Sequence, residues 1–538
     1  MIKKIFIKNY KIFDHFDLEM NRDLNIIVGD NEVGKSTILE AINLALTKRL
    51  NGRFIEYELT PYLFNRKCVD EYLQSIKEKK PAQLPEIIIE LYLDDSPELE
   101  SLRGSMNTKK EDCIGIKIEI VFDEDYYEEY KNLITNPSEE VRLIPAEYYK
   151  VQWYSFANNA LTLRSLPIRL SYIDATTIRL QSGTDYYLQD IIKTDLDAKE
   201  RVDLNIAYRN LKEIFSQKES IKGINDKLTS KKGVITDKDL SISIDVSQKS
   251  NWETNLVPHL DDLPFQLIGK GEQNALKIML ALERKSSESN TILIEEPENH
   301  LSFSSMNKLV SKIRDKCKGK QLVITTHSAY VLNKLGLEHL LLLHYDDKDK
   351  KIKTTTLQKL PPDTQNYFKK LSGYDTLRLV LAKKAILVEG PSDELIVQKA
   401  YLQRHKKLPI EVGIDVINVR GLSFLKFLDI AKELKKDVVV VTDNDGDYGN
   451  KVDEKYKHFK SCSNIKICRS ENDSAPTLEP QIVECNNFTA LNKIFGTSHK
   501  NQESLKKYME NNKTECALKI FETQEEIIFP QYVTESIE

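Results

Sequence analysis

Short, nearly continuous apolar runs recur along the chain, each ending in a polar or charged residue. Leu24-Asn25-Ile26-Ile27-Val28, Ile87 to Leu93, Thr291-Ile292-Leu293-Ile294, Gln321 to Thr326, Ala385-Ile386-Leu387-Val388 and Asp437 to Thr442 all read as strands. Leu240-Ser241-Ile242-Ser243-Ile244 alternates strictly and predicts one more. The N-terminal Met1 to Lys8 carries charges where a leader peptide needs its apolar stretch, so it also reads as a strand. Helical patterns fall between these runs: Ser36 to Ile42, from Asn274, about Asp363 to Leu381, and from Glu394. Such alternation predicts an α/β fold.

Two features divide the chain. Between about 185 and 235 the pattern turns helical and charged, with Leu204, Tyr208, Leu211 and Phe215 forming one apolar stripe. After Pro361-Pro362 and a helical connector, Ala385 opens a new β-α pattern. The reading gives four segments: 1–184, a helical insertion at 185–235, 236–380 and 381–538. A chain of 538 residues is long for one hydrophobic core, which agrees with several domains.

Composition changes the picture little. With 40% hydrophobic and 30% charged residues the chain is ordinary for a soluble protein, and no apolar run nears the roughly 18 residues that span a bilayer. The seven cysteines are scattered without Cys-x-x-Cys spacing, which suits a reducing cytoplasm and excludes the usual zinc module. A net charge of −5 means that any nucleic-acid contact must use local basic surface. Lys199 to Lys232, with nine Lys or Arg among several acids, reads first as a solvated helical face.

The strand ends carry the chemistry. Gly29-Asp30-Asn31-Glu32-Val33-Gly34-Lys35-Ser36-Thr37 follows a strand and opens a helix, as a P-loop does. Gly29 and Gly34 let the backbone, Asn31 included, wrap the phosphates of ATP. Lys35 reaches the outer phosphates, and Ser36 with Thr37 opens the helix, Ser36 being placed to ligate Mg²⁺. Thr291–Ile294 ends in Glu295 and Glu296: Glu295 would hold the Mg²⁺ shell and Glu296 would orient the attacking water. A third strand ends at His327, which can contact the γ-phosphate. Between them, Ile268-Gly269-Lys270-Gly271-Glu272-Gln273 leads into a helix and offers free amides to a phosphate. Order and spacing resemble the heads of ABC-type ATPases of the structural-maintenance-of-chromosomes and RecF branch. Gly269 stands where that family commonly has serine. The resemblance implies a dimer, in which the signature loop of one copy closes on the nucleotide of the other. The missing coiled coil of about 100 residues argues against a true structural-maintenance protein.

In the last segment one strand delivers Glu389-Gly390-Pro391-Ser392-Asp393, and a second, 54 residues on, delivers Asp443-Asn444-Asp445. Strand C-termini of a parallel sheet share an edge, and alternation along an extended end would point Asp443 and Asp445 the same way. Such acids repel one another unless hard cations such as Mg²⁺ or Mn²⁺ neutralise them. The pattern resembles the Rossmann-like Toprim domain. An ABC-type head followed by Toprim resembles the OLD (overcoming lysogenization defect) family of nucleases. On that resemblance Glu479, in Ser474-Ala475-Pro476-Thr477-Leu478-Glu479, is a further metal-site acid, and Lys513 serves the scissile phosphate or leaving group. It further implies DNA as substrate, two metal ions, and a homodimer or higher even oligomer using the helical insertion. A role in anti-phage defence also follows; some members act beside a helicase-like partner or a retron reverse transcriptase. The alternatives are a DNA-binding ATPase clamp without nuclease activity and a topoisomerase- or primase-like Toprim enzyme.

Overall fold

Continuous burial explains why the apolar runs become strands. In the computed structural model, Leu24–Gly29, Ile87–Leu93, Thr291–Glu295 and Gln321–Thr325 are buried along their whole length, the pattern of strands covered on both faces. The structure describes all residues except 79–83, 136–140, 164, 175–179, 182–183, 186–195, 233–237, 244–251, 253–256, 284–290, 317 and 422. The chain forms two compact units, Met1–Leu24 with Ser36–Thr325, and Asn25–Lys35 with Thr326–Glu538.

The first unit holds an antiparallel sheet in the order Phe13–Glu19, Ile2–Tyr10, Ile87–Leu93, Cys113–Phe122, with Arg103–Gly104 and Tyr149–Ser155 both paired to the last. Trp153 donates its indole N–H to the Ala45 carbonyl at 2.8 Å, which ties this sheet to the helix Lys35–Thr47. Three parallel strands, Leu170–Asp174, Thr291–Glu295 and Gln321–Thr325, lie side by side in the same unit. Their register sets Asp174, Glu295 and Thr325 in one row at the C-terminal edge.

The helical insertion is a pair, Ala198–Ser216 and Glu219–Thr229, the first started by a reciprocal Asp197–Glu200 capping box. Its apolar stripe is left largely uncovered: Leu211 is 61% and Phe215 47% exposed. The strand expected at Leu240–Ile244 does not form over 240–243, and Ile244 lies outside the described residues. Asn225, from the second helix, takes both backbone groups of Ile242, donating to its carbonyl and accepting from its N–H. A side chain has replaced the ladder partner.

In the second unit Ile26–Gly29 pairs in parallel with the start of Leu340–Asp346, which pairs antiparallel with Lys351–Thr356. The connector is two helices, Pro362–Lys370 and Thr376–Leu381. A four-stranded parallel sheet follows, in the order Ile414–Asn418, Lys384–Val388, Asp437–Thr442, Ile465–Arg469. Ile386, Val388, Val439 and Val441 share one core with the helix Pro391–His405 and the C-terminal helices. Leu387 and Val440, of opposite parity, are fully buried too, and the helix Phe424–Leu434 packs against the central strand Asp437–Thr442. All four strands therefore end at one edge of the sheet.

Candidate active sites

At the start of the second unit the P-loop is shaped by close approach. A Cβ on Gly29 would sit 2.6 Å from the Leu343 carbonyl oxygen, and Gly34 has φ 93°, so both positions call for glycine. Lys35 is buried, and its ammonium donates to the carbonyls of Gly29 at 2.9 Å and Asp30 at 2.8 Å. Asn31 is exposed at the turn, and His327 is exposed just after Thr326, whose N–H reaches the Ile27 carbonyl.

In the first unit Ser36 donates its hydroxyl to Glu295, and Tyr172 donates to the other carboxylate oxygen at 3.1 Å. Burial raises the Glu295 carboxyl above its ordinary range and Asp174 and Glu296 add to this, against the two hydroxyls. Glu296 is held in the left-handed region at φ 46°, with its carboxylate accepting from the Asn299 amide at 2.6 Å. Thr37 sits in the first turn of the helix that Lys35 opens.

The signature segment differs from expectation. Its helix begins at Lys270, four residues before Asn274, so Gly271, Glu272 and Gln273 lie in the first turn and Gly269 just precedes it. A Cβ on Gly271 would meet the His300 carbonyl oxygen at 2.2 Å, while nothing lies within 4 Å of one on Gly269. Gln273 is buried and donates to the carbonyls of Phe265 and Ile268. It holds its own loop in shape.

The Toprim-like edge gathers charge. Glu389 directly follows the strand Lys384–Val388 and accepts from Thr442 Oγ1 at 2.8 Å. Asp393, the third residue of the helix Pro391–His405, reaches back to accept from the Gly390 N–H at 3.0 Å and so caps that helix. Glu479 is buried and pairs with the Lys513 ammonium at 3.1 Å, and it accepts from Thr477 Oγ1 at 2.9 Å. Burial, then Asp393, Glu389 and Glu479, push the Asp443 carboxyl up to about 9, while burial with Glu389 and Glu479 pushes Asp393 to about 6. Burial opposes the charge of Lys513, but Glu479, Asp443 and Asp393 outweigh it and raise the ammonium. Glu389 and Glu479 thus both act on Asp393 and Asp443, and Lys513 acts on the same two carboxyls.

Among the described residues no three His, Cys, Asp or Glu side chains stand ready to grip a metal ion. The donors fit hard cations by chemistry, since mutually repelling oxygens are what such ions neutralise. Their present partners, Thr442, the Gly390 N–H and Lys513, would have to be exchanged for it.

With this geometry in view, the sequence matches two family profiles. One, the AAA ATPase domain, covers residues 1–332, and the other, the Overcoming lysogenization defect protein-like Toprim domain, covers 380–445. The chain belongs to the OLD family. It is 23% identical to "Endonuclease GajA" of Bacillus cereus (strain HuB5-5), over 84% of this chain and 76% of the relative. It is also 23% identical to "OLD nuclease" of Thermus scotoductus, over 83% and 82% of the two chains. Among solved structures, an SMC head bound to the C-terminal winged-helix domain of ScpA matches 66% of this chain and 98% of its own, at 14% identity and TM-score 0.37.

One OLD-type residue is placed differently from expectation. The strand stops at Thr442, and Asp445 lies exposed on a turn at φ 52°, while the groups that act most on Asp443 are Asp393, Glu389, Glu479 and Lys513. The alternation argued for Asp443 and Asp445 needs an extended backbone, which this turn is not. Between them Asn444 is fully buried and donates to the carbonyls of Ser470 and Asn472, while its Oδ1 accepts the Gly446 N–H.

Sequence reading missed Tyr172, Asp174, Thr442 and Tyr532. Burial, then Asp443, Asp393, Glu479 and Glu389, hold the Tyr532 phenol protonated. Asp174 was legible as an acid ending a short apolar strand. Tyr532 lies 53 residues beyond Glu479 in a C-terminal helix and had no local signal.

Proposed function

We propose that this OLD-family chain is a divalent-metal-dependent DNA endonuclease gated by ATP on its AAA domain. The gathering of Glu389, Asp393, Asp443 and Glu479 at one place, with the Lys513 ammonium paired to Glu479, carries the reading. The relatives named as an endonuclease and a nuclease support it.

Two Mg²⁺ or Mn²⁺ ions would supply Lewis acidity and an activated water. Glu389 would serve both, oriented by Thr442, with Asp443 and Asp445 completing one shell and Asp393 and Glu479 the other. Asp443 must give up its proton to do so, and Asp445 must leave its present turn. Lys513, once freed from Glu479, neutralises charge on the scissile phosphate or the leaving oxygen.

In the ATPase domain Lys35 exchanges its two carbonyl partners for nucleotide phosphates. Ser36 and Glu295 hold Mg²⁺, and Glu296, steadied by Asn299, orients the attacking water. His327 and the signature segment from Gly269 to Gln273 serve the γ-phosphate, the latter from a second copy. The uncovered stripe at Leu211 and Phe215 supports a homodimer or a higher even assembly. Light scattering should find no monomer at micromolar concentration. Phosphodiester hydrolysis is downhill, so ATP acts only by favouring one arrangement of the protein over another. Anti-phage defence in the cytoplasm is the biological setting that the family supports.

A plasmid-nicking assay with Mg²⁺ and then Mn²⁺ tests this. Wild type should nick and Glu389→Ala should not. Intact plasmid with wild type in both metals would overturn the reading and favour an ATPase clamp.

A further inference from the structure

Arg420 lies outside every site described so far, yet it sits beside Glu389. It follows the strand Ile414–Asn418 at the same sheet edge. Its neighbours are bonded across to the catalytic strand: Val419 N–H donates to the Val388 carbonyl at 2.9 Å, and Gly421 N–H donates to the Glu389 carbonyl at 2.9 Å. Its backbone is left-handed, at φ 52°, a conformation that disfavours any side chain with a Cβ. Glu296 at φ 46°, directly after its strand, and Asp445 at φ 52°, on the turn beyond its strand, share this backbone in the ATPase and Toprim domains. A strained non-glycine residue points from structure towards function.

The side chain is prepared for a ligand. The guanidinium lies over the Tyr374 ring, 5.2 Å from its centroid, and the residue is exposed. Tyr374 is itself fixed: its hydroxyl meets Ser423 Oγ at 3.0 Å and the Tyr367 hydroxyl at 3.1 Å, and those two meet at 2.6 Å. Its ring packs edge-on against Phe368 and Phe427. Among the described residues no carboxylate pairs with Arg420, so its donors stay available. Glycine would suit this backbone better, and a core-packing role would not need an exposed charged head.

Resting on the nuclease reading, we propose that Arg420 binds a DNA backbone phosphate flanking the scissile bond and so sets the strand over Glu389. A planar guanidinium offers paired N–H donors to phosphate oxygens, and the ring beneath limits the freedom lost on binding. The residue is a positioning residue, one strand removed from the reacting atoms.

The test uses the full-length protein, a fluorescent duplex and Ca²⁺ in place of Mg²⁺, with binding read by anisotropy across a salt series. Arg420→Gly should lower the slope of log affinity against log salt by about 0.9, the loss of one phosphate contact. Its melting temperature should hold or rise, because glycine relieves the backbone. Arg420→Lys should keep the slope. A wild-type slope in Arg420→Gly overturns the proposal, as does a falling melting temperature in that variant, which would make Arg420 structural. Failure of wild type to bind or nick DNA would overturn the nuclease reading itself, and this inference with it.

Discussion

Both domains put acids at the C-terminal ends of parallel strands, and they treat the resulting repulsion differently. In the ATPase domain Glu295 is bracketed by hydroxyls from Ser36 and Tyr172, while Glu296 turns away into a strained backbone and takes the Asn299 amide. In the Toprim domain four carboxylates gather with Lys513, and protons offset their repulsion: Asp443 is raised to about 9 and Asp393 to about 6. The difference suits the proposed occupants. A nucleotide brings its own phosphates and much of the metal shell, so the protein needs few acids. A nuclease site must hold its ions from protein oxygens alone, and it stores that demand as displaced protons.

Glu389→Ala or Asp443→Ala should break the comparison most sharply. Each should lower plasmid nicking by at least about a hundredfold, the cost of ångström-scale misplacement, and leave ATP turnover unchanged. Normal nicking by either would remove the metal-site assignment. Glu296→Gln tests the other domain: ATP turnover should fall by about a hundredfold or more while ATP still binds, as for a lost general base. Lost ATP binding there would make Glu296 structural. Lys35→Ala should weaken ATP binding about 10- to 100-fold, from a charge-assisted contact worth about 1.5–3 kcal/mol. Saturating ATP should then slow nicking by wild type and leave this variant, already active, unaffected. A Lys35→Ala protein silent beside an ATP-activated wild type would reverse the gating.

The stored protons give a pH signature. Asp393 and Asp443 have raised carboxyls in the folded protein, so their contribution to stability is full below the unfolded value of about 3.9. It is lost as pH rises through about 6 and then about 9. Melting in EDTA should therefore worsen as pH climbs across that window, and Mg²⁺ or Mn²⁺ should rescue most at its upper end. A metal effect independent of pH would count against proton displacement. The smallest effect belongs to Asp445→Ala, which should cost only about tenfold in nicking because the residue lies outside the cluster in this turn. Loss equal to that of Asp443→Ala would show that the turn rearranges when metal binds.

The strands were legible in the sequence because burial on both faces writes itself as unbroken apolar runs, and strand-end acids announce themselves by contrast. Glu295 ends its strand and Glu389 and Asp443 directly follow theirs, the positions that this contrast predicts. Leu240–Ile244 misled because alternation records only which side chains match, while Asn225 claimed the backbone of Ile242. The signature helix was placed too late because the two glycines masked its first turn, where Gly271 is needed for close approach to His300. Tyr532 was invisible because a helix far along the chain brings it in. Tertiary placement of that kind leaves no mark in local spacing.

Asn444 occupies the position that motif notation leaves blank. Its buried amide fastens the turn to the segment leaving the neighbouring strand, through Ser470 and Asn472, and its oxygen fixes Gly446. An aspartate here would have the same outline but no N–H donors, so two carbonyls would lose their partner and another anion would enter an already crowded edge. The wildcard is therefore a narrow letter in this chain. Asn444→Asp, a change that a pattern search could not see, should loosen the loop on which both flanking aspartates depend.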